Sequence, residues 1–173
     1  MKKDRKLNDL KAHFTECYRR NKDSLWRYCL FMTRNTDDAK ELLSETLYQA
    51  FLGFAKLKSE DAFLSYVFTI ASRVFYKSIK FQSNFEKDFD FDNLMDNSLH
   101  PDVMIDIQFL RQAMNKLKPD YRETLILSEI EGFSRKEASI IMNVSEETIK
   151  SRLYRAKKQL AELIGVKDEY RVK

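Results

Sequence analysis

Ser134-Arg-Lys-Glu-Ala-Ser-Ile-Ile-Met-Asn-Val-Ser-Glu-Glu-Thr-Ile-Lys-Ser-Arg-Leu-Tyr-Arg-Ala-Lys-Lys158 is the stretch on which the reading of this 173-residue chain turns. Ser134 and Glu137 have capping-box spacing, in which each side chain satisfies an amide left free at a helix start. Ala138, Ile141 and Met142 then recur at helical spacing, and Ser139 is small enough for a second helix to cross closely. Asn143 stands where the chain must turn through a left-handed conformation, which asparagine tolerates better than any residue but glycine. Ser145 has the character of an N-cap, with Glu146 and Glu147 in the positive field of the next helix start. The spacing predicts a helix-turn-helix.

The second helix has an apolar face of Ile149, Leu153, Ala156 and Leu160. Its other faces carry Lys150, Ser151, Arg152, Tyr154, Arg155, Lys157 and Lys158. A helix of this width, basic and rich in hydrogen-bonding groups, fits the DNA major groove. A basic run alone is more often a solvated face. Here the capping box, small residue, turn asparagine and second N-cap fall in one register, which favours duplex recognition.

Working outward, the composition is that of helices. Gly occurs three times and Pro twice, too few for a hairpin-rich fold. The reading is all-α, with two small helical domains, residues 1–81 and 103–173, joined by an acidic flexible linker, 82–102. Charge supports the division: residues 1–81 hold 16 Lys/Arg against 10 Asp/Glu, 82–106 hold one against seven, and 107–173 hold 14 against 10. Two basic lobes around an acidic strap suit a protein that meets nucleic acid at two places. No apolar run reaches the ~20 residues of a membrane span, and Met-Lys-Lys-Asp-Arg-Lys leads into an amphipathic pattern with no signal-peptide core, so a cytoplasmic protein is expected.

Upstream, Leu7, Leu10, Phe14, Cys17, Leu25, Trp26, Cys29, Leu30 and Met32 predict helix with a break near Asn21 to Ser24. Cys17 and Cys29 lie on its apolar faces. No third or fourth ligand is near them and His13 and His100 are the only histidines, so two buried free thiols are expected and no metal or other cofactor. Thr36, Asp37 and Asp38 open a second helix, lined on one side by Ala39, Leu42, Leu43, Thr46, Leu47, Ala50, Phe51 and Phe54. Asp38, Glu41, Glu45 and Gln49 run along another side, either as a wet face or as a docking surface for a basic partner. Gly53 and Lys56 to Asp61 make a polar connection. A third helix starts near Asp61, and its Phe63, Tyr66, Val67, Ile70, Ala71, Val74, Phe75 and Ile79 read as core, or in part as a platform for stacking single-stranded bases beside Arg73, Lys77 and Lys80.

From Gln82 to Asp102 no helical face can be drawn. At ~3.3 Å per residue this strap can reach roughly 70 Å, and Phe85, Phe89 and Phe91 alternate in it with acids. Asp102 is placed as the cap of a helix with Val103, Ile107, Leu110, Met114 and Leu117 on its apolar side. Pro119 suits the first turn of the next helix, with Tyr121, Leu125, Ile126 and Ile130 buried and Gly132 at its end. The tail from Gly165 is short, charged and expected to fray.

With both lobes placed, the chain resembles the bacterial RNA polymerase sigma factors of the extracytoplasmic-function (ECF) group, the smallest of the sigma-70 type. Leu117-Lys-Pro-Asp-Tyr-Arg-Glu-Thr-Leu125 and Ile149-Lys-Ser-Arg-Leu-Tyr-Arg-Ala-Lys157 resemble the region that reads the −35 promoter element. Thr36-Asp-Asp-Ala-Lys-Glu-Leu-Leu-Ser-Glu-Thr46 resembles the helix that grips the polymerase clamp, and Phe63-Leu-Ser-Tyr-Val-Phe-Thr-Ile-Ala-Ser-Arg-Val74 the helix that reads the −10 element.

The resemblance implies a sigma factor that directs core RNA polymerase to promoters and assists DNA melting, with no chemistry of its own. It implies core-polymerase contacts by Asp37, Asp38, Glu41, Leu42 and Glu45 on the β′ clamp, with the β flap as a further partner surface. It implies −10 contacts by Lys56, Lys58, Ser59, Tyr66, Arg73, Lys77 and Lys80, and −35 contacts by Arg135, Thr148, Lys150, Ser151, Arg152 and Arg155. The strap would run through the polymerase channels in place of nucleic acid, and an anti-sigma factor is an implied partner. Tyr66 stands where many relatives have tryptophan, Ser72-Arg73 where many have Arg-Asn, and Asn143 where glycine is usual, so the promoter sequence does not follow.

Two other function classes are weighed. A helix-turn-helix repressor or activator acting on duplex DNA without polymerase would be expected to dimerise on half-sites about one helical turn apart. An enzyme finds no phosphate-binding glycine loop, metal cluster or nucleophile and base pairing in the sequence.

Overall fold

The computed structural model describes residues 2–82 and 101–165. The acidic strap through His100 and the tail after Gly165 lie outside the described residues. Among those described there are helices and no strands. The chain divides into two compact units, one formed by residues 2–29 with 37–82, the other by 101–165 grouped with residues 30–36.

The first unit holds α1 (Lys2–Met32) up to Cys29, α2 (Thr36–Phe54) from Asp37, a 3₁₀ turn (Glu60–Ala62) and α3 (Phe63–Gln82). The break expected near Asn21 to Ser24 is absent: α1 runs on for 31 residues. Nothing there forces a break, because no Gly or Pro intervenes and the polar side chains are accommodated locally. Asn21 donates back to the Cys17 carbonyl at 2.8 Å, and Arg19 and Arg20 each donate to Glu16 at 3.0 Å. Those guanidinium hydrogen bonds hold the Glu16 carboxyl down to about 2.

The core of this unit is aromatic. Phe14 meets Phe51, Phe54 and Phe63 edge to face at ring separations of 5.4, 5.1 and 5.7 Å, joining α1, α2 and α3 at one place. Tyr28 and Phe68 form a second such pair at 4.9 Å. Edge-to-face pairs of this kind contribute roughly 0.5–1.5 kcal/mol beyond the area they bury. Phe63, Val67, Phe68, Ile70, Ala71, Val74 and Phe75 are all buried, so most of the α3 aromatic stripe is core and does not form a stacking platform.

The second unit is built from α4 (Pro101–Asn115), α5 (Pro119–Leu125), α6 (Arg135–Met142) and α7 (Glu146–Ile164). The α4 helix starts at Pro101, one residue before the Asp102 cap read from the sequence. As expected, Pro119 opens α5, which widens into a π-helical turn at Ile126–Ile130, closed by Glu131 N–H donating to the Ile126 carbonyl at 2.9 Å. Gly132, at φ 73°, then ends it. The burial predicted for α5 needs correction: Arg122 to Leu127 are buried without interruption, while Tyr121 and Ile130 are half-exposed. The cause is position, since α4, α6 and α7 surround this segment and leave it no wet face. Arg122 is accommodated there by donating to Asn115 Oδ1 at 2.6 Å.

Candidate nucleic-acid interface

The helix-turn-helix forms as its sequence directs. Ser134 caps α6: its Oγ accepts from Glu137 N–H at 3.2 Å while Glu137 Oε2 accepts from Ser134 N–H at 2.8 Å. The Ser134 hydroxyl also donates to Glu137 Oε2 at 2.6 Å, and this bond first, with the one from Ser134 N–H second, holds the Glu137 carboxyl below its ordinary value. At the other end Asn143 adopts φ 52°, ψ 50°. Val144 N–H reaches the Ser139 carbonyl at 3.0 Å and Asn143 N–H the Ile140 carbonyl at 3.3 Å, the paired bonds of a Schellman turn. Ser145 caps α7, its Oγ accepting from Thr148 N–H at 3.1 Å. Ala138, Ser139 and Ile141 of α6 and Ile149 and Ala156 of α7 are buried. The two helices are thereby fixed at both ends and along the crossing.

That packing turns the basic side of α7 outward. Lys150 and Arg155 are exposed, as is Arg135 on α6, whereas Ser151 and Thr148 are half-buried. Thr148 also places its hydroxyl 2.8 Å from Ser145 Oγ. Arg152 is 24% exposed and its Nε lies 3.3 Å from Asp120 Oδ2 at the start of α5. Arg152, Arg155, Ser151 and Thr148 share an open depression with Asp120, Tyr121, Ser145 and Glu147. All six residues proposed from the sequence for the −35 element therefore lie on the helix-turn-helix, four of them in one concavity. Asp120, which orients Arg152, was missed: it stands 32 residues earlier in the sequence, and only the fold brings the two together. Lys157, part of the same basic run, is engaged by Glu129 at 2.8 Å.

In the first unit, Asp37, Glu41 and Glu45 are exposed along α2 and Asp38 is half-buried. Leu42, at 5% exposure, faces the interior with Ala39, Thr46 and Ala50 and packs the helix that carries the acidic stripe. Arg73, Lys77 and Lys80 are exposed, at spacings that put them on one side of α3. Tyr66, on the same stripe, is half-exposed with its hydroxyl donating to the Ala50 carbonyl at 2.8 Å. Lys56 and Lys58 are exposed in the loop, and Ser59 caps the 3₁₀ turn by accepting from Asp61 N–H at 3.2 Å.

Cys17 and Cys29 are both buried free thiols, as expected, but the fold sets two ligand-type side chains beside Cys17. His13, one turn away on α1, and Glu60 on the 3₁₀ turn bring their donor atoms within 4.8 Å of each other and of the Cys17 sulfur. The histidine pairing was legible as an i, i+4 spacing; Glu60 came from the tertiary fold. Cys29 is fully buried, and burial pushes its thiol up to about 12. No described helix is long and apolar enough to cross a membrane.

Comparison with known proteins meets these surfaces on the same segments. Residues 17–85 match the family model for sigma-70 region 2, and residues 108–160 that for sigma-70 region 4. The ECF RNA polymerase sigma factor EcfG of Rhodopseudomonas palustris strain TIE-1 is 30% identical over 83% of this chain and 80% of that protein. The ECF RNA polymerase sigma factor SigM of Bacillus subtilis strain 168 is 30% identical over 89% of this chain and 98% of that protein. Among solved structures, the sigma factor RpoE in its co-crystal with the anti-sigma factor NepR from Bartonella quintana matches with a TM-score of 0.74 and 26% identity, covering 91% of this chain and 98% of that one.

Proposed function

The chain belongs to the ECF RNA polymerase sigma factors of the sigma-70 family and serves promoter-specific transcription initiation; from that premise we propose how its residues share the task. The observation that carries the assignment is the outward basic side of α7, held by two capped helix starts in the region-4 segment, on a chain that also contains region 2.

In this reading α7 enters the major groove at the −35 element. Lys150, Arg152 and Arg155 bind base edges or phosphates there, and Arg135 on α6 a flanking phosphate. Thr148 and Ser151 supply shorter hydrogen-bonding contacts at the helix start. The first unit takes the −10 element along Tyr66, Arg73, Lys77 and Lys80, with Lys56, Lys58 and Ser59 around an unstacked base. Asp37, Asp38, Glu41 and Glu45 meet the β′ clamp of core polymerase, and the region-4 unit meets the β flap. Bond-making stays with the polymerase. The protein works in the cytoplasm, and an anti-sigma factor holds it inactive, as NepR accompanies the Bartonella quintana relative.

Run-off transcription with purified core polymerase tests the assignment, with two variants that should fail differently. Arg152→Ala is expected to weaken −35 duplex binding by about tenfold, within the range of one lost base contact, with core association intact. Glu41→Arg is expected to weaken core association with duplex binding intact. Equal loss of both activities in both variants, or tight duplex binding as a dimer with no dependence on core, would overturn the reading in favour of a polymerase-independent regulator.

A further inference from the structure

His13, Cys17 and Glu60 form a cluster that promoter recognition does not use. His13 and Cys17 are one turn apart on α1, and Glu60 begins the 3₁₀ turn that follows the Lys56 to Ser59 loop. Their ligand atoms lie within 4.8 Å of one another. Tetrahedral bonds of about 2.0–2.3 Å to zinc need donor separations only somewhat shorter than that. His13 Nε2 and Glu60 Oε1, 2.6 Å apart, need to part only slightly to admit an ion between them.

The first donors are already oriented. The His13 ring packs edge-on against Phe54 at 5.1 Å, which aims Nε2 at Glu60. The other Glu60 oxygen, Oε2, lies 3.3 Å from Arg20 Nη1, so the carboxylate is held from its far side as outer-shell partners hold metal-bound carboxylates. Cys17 supplies sulfur from the buried side, at 3% exposure, while His13 and Glu60 are about half exposed and leave an entry path.

We infer that His13, Cys17 and Glu60 bind one divalent transition-metal ion of borderline softness, Zn²⁺ being the natural occupant, with the fourth position open to water. Imidazole, thiolate and carboxylate together suit Zn²⁺ or Co²⁺ and do not suit Mg²⁺ or Ca²⁺, which take oxygen donors. Binding releases one proton, that of the Cys17 thiol. Neutral imidazole, thiolate and carboxylate then balance the dication. The ion joins α1 to the root of the Lys56 to Ser59 loop, so occupancy steadies that loop. This site is independent of the transcriptional role: it stands or falls on metal binding alone.

Co²⁺ titration of the full-length protein, followed by optical absorption, tests it. One equivalent should produce tetrahedral-type visible bands and a thiolate-to-cobalt charge-transfer band, both displaced by Zn²⁺. Cys17→Ser should abolish the charge-transfer band, Cys29→Ser should leave it, and Glu60→Gln should weaken binding by about tenfold or more. Absence of the band in the wild-type protein, its persistence in Cys17→Ser, or its loss in Cys29→Ser overturns the site. Should Cys17→Ser fail to fold, the exposed-residue variants Glu60→Gln and His13→Gln decide: weakening in both supports the site, and unchanged affinity in either overturns it.

Discussion

The Tyr66 hydroxyl donates a 2.8 Å hydrogen bond to the main-chain carbonyl of Ala50, latching α3 to the end of α2. The latch explains Gly53. A Cβ built there would stand 2.4 Å from Tyr66 Oη, closer than any real contact, yet 3.5 Å from the ring carbon that bears the hydroxyl, an ordinary distance.

Gly53→Ala should therefore destabilise the first unit despite alanine's better helix propensity. Displacing Tyr66 forfeits its hydrogen bond to Ala50, about 0.5–1.5 kcal/mol net, and disturbs the packing of its ring, against a propensity gain of roughly 0.5–1 kcal/mol. In a Tyr66→Phe background the clash disappears, and the same Gly53→Ala change should stabilise. Urea denaturation followed by fluorescence of Trp26, the single tryptophan, reads this unit directly. Equal effects in both backgrounds would remove the latch from the explanation.

Arg152 owes its direction to Asp120. Asp120→Asn keeps the size of the side chain but removes the charge that holds Arg152 Nε at 3.3 Å. It also removes a negative group from the depression that would face DNA. Non-specific duplex binding should rise, while discrimination between cognate and scrambled −35 elements falls by about 1 kcal/mol, roughly fivefold. Competition binding at fixed salt measures both. Arg155→Ala, at an exposed site, should instead lower affinity for all duplexes and reduce the salt slope by about 1.

The α6 cap makes stability depend on acid. Hydrogen bonds from Ser134 place the folded-state pKa of Glu137 below the ordinary carboxylate value of 4.5. Because the folded value is the lower one, its contribution is complete above the unfolded pKa and is lost as pH falls through the folded one. Ser134→Ala should weaken the second unit by about 1 kcal/mol at neutral pH and flatten its acid dependence. Glu137→Gln should flatten that dependence with a smaller loss at neutral pH, since glutamine can still accept the cap bond. Circular dichroism melts between pH 7 and 3 separate the two.

What could be read from the sequence was whatever short-range chemistry decides. The capping box at Ser134, the turn at Asn143 and the second cap at Ser145 are each settled by residues within four positions of one another, and the structure has all three. Leu42 was legible as apolar and as part of a clamp-like motif. That its side chain is buried is decided by packing, which the sequence alone does not display. Burial of Arg122 and Glu123 runs against their composition and follows from α5 being enclosed by three helices. Glu60 reaches His13 across 47 residues of sequence, a separation at which periodicity carries no information.

Asn143 offers the sharpest test of the turn itself, because it is the only non-glycine residue among those described with positive φ. At φ 52° and ψ 50° it is left-handed, a conformation that crowds Cβ against the following carbonyl in L-residues by roughly 1–2 kcal/mol and that asparagine relieves in part. Asn143→Gly removes that crowding but loosens the unfolded chain, and the two effects oppose, so stability should change by less than about 1 kcal/mol in either direction. Asn143→Val keeps the crowding and adds a β-branch, so it should destabilise the second unit by about 2 kcal/mol. The Schellman bonds from Val144 and Asn143 to Ser139 and Ile140 fix the angle at which α7 leaves α6. Asn143→Val should therefore lose −35 binding at temperatures where α7 remains helical by circular dichroism. If binding and helicity in that variant are lost together, the turn sets stability and not the aim of the recognition helix.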